Sequence, residues 1–512
     1  MRKVFSRIIV TALVMVLAVP TVFLSARTGS VYVDGTYFIH IRQAAYDAGA
    51  SVEWDGANQV VIITTADGWT FTVYAAESGG FNDNGRIYIP VELAERLFHE
   101  RQIPTVIPET EPEAETETET ETEPDYLIIT EPTSHLHETI ETANMLATLF
   151  LDDFDLSGLV VTIVDAQNDF TWVQGFGYAD TSLNIPVEPD TVFLIASVSK
   201  AITALAVMQL VEEGIIDPDT PIIEYLPDFS MLPSETGGDY RNITTRMLLT
   251  HTAGVITQND FLTATLHLNE ITDGEHDPYY ITLDGHNPHF MNNFFEIMAL
   301  HYMDAPENTS FSYSNNGFVL LGVLLAAKTG NDDFFNGFEQ YMQTNIFLPA
   351  GMTRSSFVLD SRLKPFLAQP YENSSTPGEY FFPNGLPTAS MVSTGNDMAQ
   401  LMYLLLNGSS EIVSPSTLRY MQTPHELSII SSPGAEIGYG FGFLTFEFEE
   451  GQILFGHNGA WSGGYQSMML MNQDTGLGVF VAINTFTEEI FETADLLALM
   501  ILLTALEEVS GN

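Results

Sequence analysis

Cysteine is absent from all 512 residues. That excludes a disulfide framework, a thiol nucleophile, a lipidated cysteine and a cysteine-based zinc site. Basic residues are scarce too: 16 Lys and Arg stand against 67 Asp and Glu, a formal net charge of −51. A surface of one sign repels polyanions, which argues against nucleic acid or an anionic membrane surface as a partner. The glycine pair in Gly175-Phe-Gly177-Tyr-Ala-Asp180 lacks a third glycine and opens no helix, so no dinucleotide loop is read there. His276, Asp277, His286 and His289 share no regular ligand spacing, so no metal site is assigned to them and no cofactor is implied. What the chain does have is length and apolar content: at 45% hydrophobic it can hold two or three domains with sizeable cores.

The N-terminus reads as an export signal. Arg2, Lys3 and Arg7 precede an apolar run from Ile8 to Leu24, and the chain turns polar at Arg27. Ala26 is small but Leu24, two before it, is not, so 1–26 is either a cleaved signal or a retained anchor. Both place the remainder outside the cytoplasm, secreted or held on the outer face of the cytoplasmic membrane. Residues 31–100 carry an internal echo, Asp34-Gly35 through Ala44 answered by Asn84-Gly85 through Ala94. In each half a turn leads a short strand and then a helix, with Pro90 suited to the first helical position. This unit resembles the small N-terminal stalk domain of copper amine oxidases. It has no clustered histidines, so the resemblance implies a spacer or a module that holds cell-wall polymer, not copper chemistry. Residues 101–135 hold Thr-Glu repeats without apolar periodicity, an extended and disordered acidic tether.

From residue 136 to 508 the composition is that of a folded domain. Leu159–Val164 and Phe170–Val173 read as a hairpin, and Thr191–Ile195 as a short apolar strand. A helix then opens at Ser197 and runs to Glu213, with apolar residues at helical spacing. Lys200 lies three residues after Ser197, on the same face and one turn on. A serine hydroxyl needs a neighbouring base to become a nucleophile, and a lysine is such a base only when burial holds its pKa down. The almost wholly apolar turns after Lys200 point to a buried helix. Downstream, Phe311-Ser-Tyr313-Ser-Asn315 precedes a second apolar helix, Phe318–Lys328. A buried tyrosine beside such a pair can relay a proton, and an asparagine can orient groups without adding charge. Gly456-His457-Asn-Gly459-Ala460 lies between strands Gln452–Phe455 and Tyr465–Met471, where glycines allow a substrate backbone to approach closely. A further strand, Gly478–Asn484, and a terminal helix, Ala494–Leu506, complete the domain; that helix is too short to span a bilayer.

Ser197-x-x-Lys200, Tyr313-Ser-Asn315 and His457-Asn-Gly459 together resemble, in order and spacing, the serine β-lactamase-like hydrolases. That group contains class C β-lactamases, D-alanyl-D-alanine carboxypeptidases, D-aminopeptidases and esterases. The resemblance covers about residues 136–508 and includes the phrases Gly175–Asp180 and Leu248-Leu-Thr-His-Thr-Ala-Gly254. It implies an α/β (α+β) fold: a mostly antiparallel sheet flanked by helices, plus an all-helical lobe inserted between the first and last motifs. It implies Ser197 as nucleophile, Lys200 as its base, Tyr313 as proton shuttle, Asn315 and Gly459 as substrate-positioning residues and His457 as the electrostatic wall of the cleft. The backbone N–H groups of Ser197 and Ala460 would form the oxyanion hole.

Efficient β-lactamases of the group usually carry Lys-Thr-Gly at the third motif, and a histidine is mostly neutral at pH 7. A hydrolase of D-amino-acid peptides, amides or esters therefore ranks above a β-lactamase. Acyl transfer to an amine would use the same residues. The alternative of another class is a non-catalytic binding or scaffold protein on the same fold.

Overall fold

The computed structural model describes residues 135–256 and 290–511, apart from 332, 379–385, 433–434, 449–450, 488–489 and 491, together with seven short strands between residues 31 and 90. Residues 133–512 and residues 19–132 form separate compact units. The export segment, the tether and the four candidate ligands at 276–289 lie outside the described residues.

In the smaller unit the strands are β1 (Val31–Val33), β2 (Thr36–His40), β3 (Ser51–Asp55), β4 (Val60–Thr64), β5 (Thr70–Tyr74), β6 (Phe81–Asp83) and β7 (Arg86–Pro90). They make one sheet in the order β1-β2-β7-β6 and another of β3-β4-β5. The two echoed strands, β2 and β7, pair antiparallel with Ile39 opposite Ile89. Pro90 is the last residue of β7, opposite Phe38. Proline is tolerated there because a strand end spares its missing N–H. The helices expected after each strand fall outside the described residues.

The larger unit begins with α1 (His137–Asp153), β8 (Gly158–Asp165), β9 (Phe170–Asp180), the two-residue β10 (Ile185–Pro186) and β11 (Phe193–Leu194), then α2 (Val198–Glu212). The helices α3 (Thr245–Leu249), α4 (Phe290–Leu300), α5 (Asn315–Thr329), α6 (Phe334–Met342) and α7 (Leu386–Ala389) follow, joined among the described residues by irregular segments and isolated bridges. Next come β12 (Val392–Ser393), α8 (Gly395–Leu406) and α9 (Pro415–Met421). The chain closes with β13 (Ile430–Ser432), β14 (Ala435–Tyr439), β15 (Leu444–Phe448), β16 (Ile453–Trp461), β17 (Tyr465–Asn472), β18 (Leu477–Ile483) and α10 (Thr493–Ser510).

Nine strands form one sheet in the order β10-β9-β8-β18-β17-β16-β15-β14-β13, every described pair antiparallel. First and last segments thus meet at the centre, β8 beside β18. Strands β8, β17 and β18 are buried at every position, because helices cover both faces. The alternation along β16 shows which helix lies where: Asn458 reaches α10 through Asp495, whereas Gly459 abuts Ile195 and Ser197 at the head of α2. α2 and α10 therefore pack on opposite faces.

α2 is largely apolar and is buried on every side from Val198 to Met208, as a helix sandwiched between a sheet and other helices must be. Ile202, Leu205, Val207, Met208 and Leu210 are all at most 2% exposed, and such burial stabilises by about 1.5–3 kcal/mol per side chain. That sum outweighs the roughly 1–3 kcal/mol that one buried polar head costs, which is why the helix can carry Lys200 inside.

Candidate active site

Ser197 is the N-cap of α2, and the N–H groups of Val198, Ser199 and Lys200 donate back to the carbonyl oxygens of Ile195, Ala196 and Ser197, so the helix head is tightly wound. Ala196, immediately before it, sits in the left-handed region at φ 45°, a conformation disfavoured for a residue with a side chain. Surrounding structure holds it there: Ile195 N–H donates to Met391 O, and Ser199 N–H to Ala196 O. The chain is thereby turned sharply, and Ser197 keeps part of its surface open to solvent while its neighbours are buried.

Lys200 is fully buried. Its Nζ lies 3.0 Å from Ser197 Oγ and donates to the carbonyl oxygen of Thr388 at 2.9 Å. That carbonyl is positioned by two further bonds from the same helix face: Thr203 Oγ1 donates to Pro387 O, and Met391 N–H donates to Ser199 Oγ. Burial pushes the Lys200 ammonium well below its ordinary range, and among the described residues no ion pair with a carboxylate holds the proton on.

Tyr313 and Asn315 come from the start of α5, whose N-cap is Ser314: its Oγ accepts from Gly317 N–H at 3.1 Å. The Tyr313 ring lies 4.8 Å from Lys200 Nζ. Burial pushes its phenol upward, partly offset by a hydrogen bond with Ser197, so it is a protonated phenol at neutral pH. Asn315 is the first residue of α5 and is partly exposed.

The third motif lies inside a strand and not after one: β16 runs unbroken from Ile453 to Trp461. Gly459 is the close-approach point. A Cβ there would collide with the carbonyl oxygen of Ile195 and with Ser467 Oγ, and would stand 3.0 Å from Ser197 N. Only glycine lets β16 reach the head of α2, and Ala460, the next residue, is exposed beside it.

His457 is fully buried. Its Nδ1 lies 2.6 Å from the carbonyl oxygen of Asn458, and its Nε2 3.0 Å from the hydroxyl of Tyr439. Burial, then the nearby Lys200, push its imidazolium down to about 3. The third motif therefore presents no charge at neutral pH.

Two residues of this cluster carry no role in the reading of the sequence. Tyr439 ends β14 and is 1% exposed; like His457 it stands between glycines, and that was its one visible signal. His251 lies in the phrase Leu248–Gly254, at φ 55°. Its Nδ1 accepts from Ser314 N–H at 3.1 Å, and its ring lies 4.3 Å from that of Tyr313 and 4.8 Å from that of Tyr439. It thus ties the turn after α3 to the start of α5.

A large antiparallel sheet flanked by helices, with a serine and a buried lysine one turn apart at a helix head, defines a β-lactamase/transpeptidase-like serine hydrolase fold. The chain belongs to the beta-lactamase family, whose model, described as "Beta-lactamase", matches residues 149–502. Among relatives, "Penicillin-binding protein 4*" of Bacillus subtilis (strain 168) is 27% identical over 327 residues, 60% of this chain and 64% of that one. The chain spans less than two thirds of the length of that relative. Among solved structures, D-amino acid amidase from Ochrobactrum anthropi SV3 superposes with a TM-score of 0.55 at 23% identity, over 72% of this chain and 99% of that one. A class C beta lactamase from Rhodobacter sphaeroides gives 0.54 at 18% identity, over 72% and 99%. These two likenesses are of fold.

Proposed function

We propose that the protein is a serine hydrolase that forms an acyl-enzyme on Ser197 and cleaves D-amino-acid peptides, amides or esters. The observation that carries this reading is Lys200 Nζ, desolvated and 3.0 Å from Ser197 Oγ. In acylation Oγ bonds to the substrate carbonyl carbon while its proton passes to Nζ. The oxyanion is met by the N–H groups of Ser197 and Ala460. Tyr313, still a phenol, gives its proton to the leaving group and regains one from Lys200, and the carbonyl–leaving-group bond breaks. Asn315 and Gly459 position the substrate. Water then bonds to the acyl carbon, and Ser197 leaves with a proton returned by the same relay.

The uncharged third motif supports amide and ester substrates over β-lactams, whose carboxylate would meet no cation at His457. Residues 1–26 and the acidic tether fit an enzyme displayed outside the cytoplasm, with 31–100 as spacer; N-terminal sequencing of the exported protein tests this.

Intact mass after exposure to a fluorophosphonate, on wild type and Ser197→Ala, tests the nucleophile. One adduct on wild type and none on the variant is expected, together with turnover of a D-aminoacyl amide by wild type alone. Equal labelling of both, or no labelling and no turnover by wild type, would overturn the proposal in favour of a non-catalytic scaffold.

A further inference from the structure

Both nitrogens of His457 are committed. The carbonyl oxygen of Asn458, 2.6 Å from Nδ1, can only accept, so Nδ1 carries the proton. Nε2 is then the lone-pair nitrogen, and the hydroxyl of Tyr439 donates to it at 3.0 Å. The two rings meet edge to face at 5.7 Å, and both are buried. The other titratable groups near the His457 ring are Lys200, His251 and Tyr313, while Asp495 reaches the motif from the opposite face through Asn458.

We infer that Tyr439 determines specificity at the Ser197 site: its hydroxyl occupies the lone-pair nitrogen of His457 and leaves the ring with no free nitrogen, so the site takes substrates with uncharged leaving groups over those whose leaving group bears a free carboxylate. This rests on the acyl-enzyme reading above. The favoured class is amino-acid esters and primary amides; the disfavoured class is peptides cleaved next to a C-terminal carboxylate. The physical ground is desolvation. β16 abuts Ser197 through Gly459, so a substrate acylating Ser197 lies along that strand. A carboxylate brought there loses water and meets neither a cation nor a free N–H from the imidazole. Lys200 does not substitute, because its Nζ is engaged by Ser197 and Thr388 and burial disfavours its charged form.

The experiment compares D-alanyl-D-alanine with its C-terminal amide on the full-length protein, with D-alanine methyl ester as a third substrate. Wild type should favour the amidated dipeptide by about a hundredfold or more in kcat/KM, since a site with buried groups of the wrong kind discriminates strongly. Tyr439→Phe removes the donor and nothing else, and should reduce that ratio by at least about tenfold, because the released imidazole can turn a ring N–H toward the carboxylate. Nitrogen NMR of histidine-labelled protein, with the His457 signals assigned by their loss in His457→Gln, reads the bond directly. Wild-type His457 should show a protonated Nδ1 and a hydrogen-bonded Nε2 that does not titrate; in Tyr439→Phe the Nε2 signal should move to that of an unbonded nitrogen. A wild-type ratio near one, an unchanged ratio in Tyr439→Phe, or a wild-type His457 that titrates as an ordinary histidine would each overturn the inference, whether or not the variant folds well. Loss of turnover on all three substrates by wild type would instead overturn the acyl-enzyme reading, and the specificity role with it.

Discussion

Lys200 donates from Nζ to the carbonyl oxygen of Thr388 at 2.9 Å while standing 3.0 Å from Ser197 Oγ. A carbonyl neither neutralises an ammonium nor competes for its proton as a carboxylate does. It orients the amine so that the nitrogen lone pair is left for the serine proton. The base is thus made by burial and aimed by backbone.

Such a base has a stability consequence. A lysine whose folded pKa lies below the unfolded 10.5 binds fewer protons folded than unfolded at intermediate pH. Stability then falls as pH drops from about 10.5 toward the depressed value. Lys200→Met should therefore abolish turnover yet stabilise the fold at pH 7 by about 1–3 kcal/mol. Denaturant unfolding at pH 7 and pH 10 checks both parts: the gain should shrink at the higher pH.

Tyr313→Phe should lower kcat for amides by roughly a hundred- to ten-thousandfold, the usual value of a positioned acid. Activated aryl esters, whose leaving groups need no proton, should lose far less. Equal losses on both substrates would remove Tyr313 from leaving-group protonation.

Gly459→Ala puts a methyl against Ile195 O and Ser467 Oγ, so β16 must back away from the head of α2. The cost should be about 1–3 kcal/mol in stability, as for other overpacked sites. kcat should fall by about a hundred- to a thousandfold as the Ala460 N–H leaves the oxyanion position. Thermal unfolding and steady-state kinetics measure the two effects separately.

Asp495 and Glu492 form a pair of carboxyls behind β16. Burial raises Glu492 to about 8, with Asp495 adding to the shift, and burial raises Asp495 to about 7 against the hydrogen bond from Asn458. Folded pKa values above the unfolded ones mean the stability is fully present below about pH 4 and is lost as pH rises through 7 to 8. The pair titrates as a unit. Asp495→Asn should flatten this decline and raise stability at pH 8.5 by about 1 kcal/mol, discounted because both residues are partly exposed. Unfolding free energies from pH 4 to 9 on both proteins give the comparison; identical slopes would reject it.

Much of the larger unit was legible because its signals are local. The apolar run after Lys200 has helical period, and β8 and β18 are short runs of β-branched residues, so α2 and the central strands could be read directly. Less legible was whatever depends on a partner far along the chain. Val392-Ser393, which no local pattern marks, is a strand only because Phe193-Leu194 pairs with it. Gly456–Gly464 read as a glycine-rich edge between two strands, yet most of it is strand itself, because pairing with β17 fixes backbone that composition alone leaves free.

What the sequence by itself determined is chemical inventory: no thiol, few cations, and a serine, a lysine, a tyrosine, an asparagine and a histidine at spacings that name a family. Local pattern suffices for that, since each motif carries its own helix start or glycine. Tertiary structure alone decided the state of those groups. Lys200 is drawn from its ordinary range by a core assembled from distant segments, and Thr388, 188 positions on, supplies the atom that aims it. His457 is held uncharged by burial and by Lys200 nearby, and its lone-pair nitrogen is occupied by Tyr439 two strands away. Protonation depends on burial and on neighbours, and both exist only once the sheet has closed and the helices have covered it.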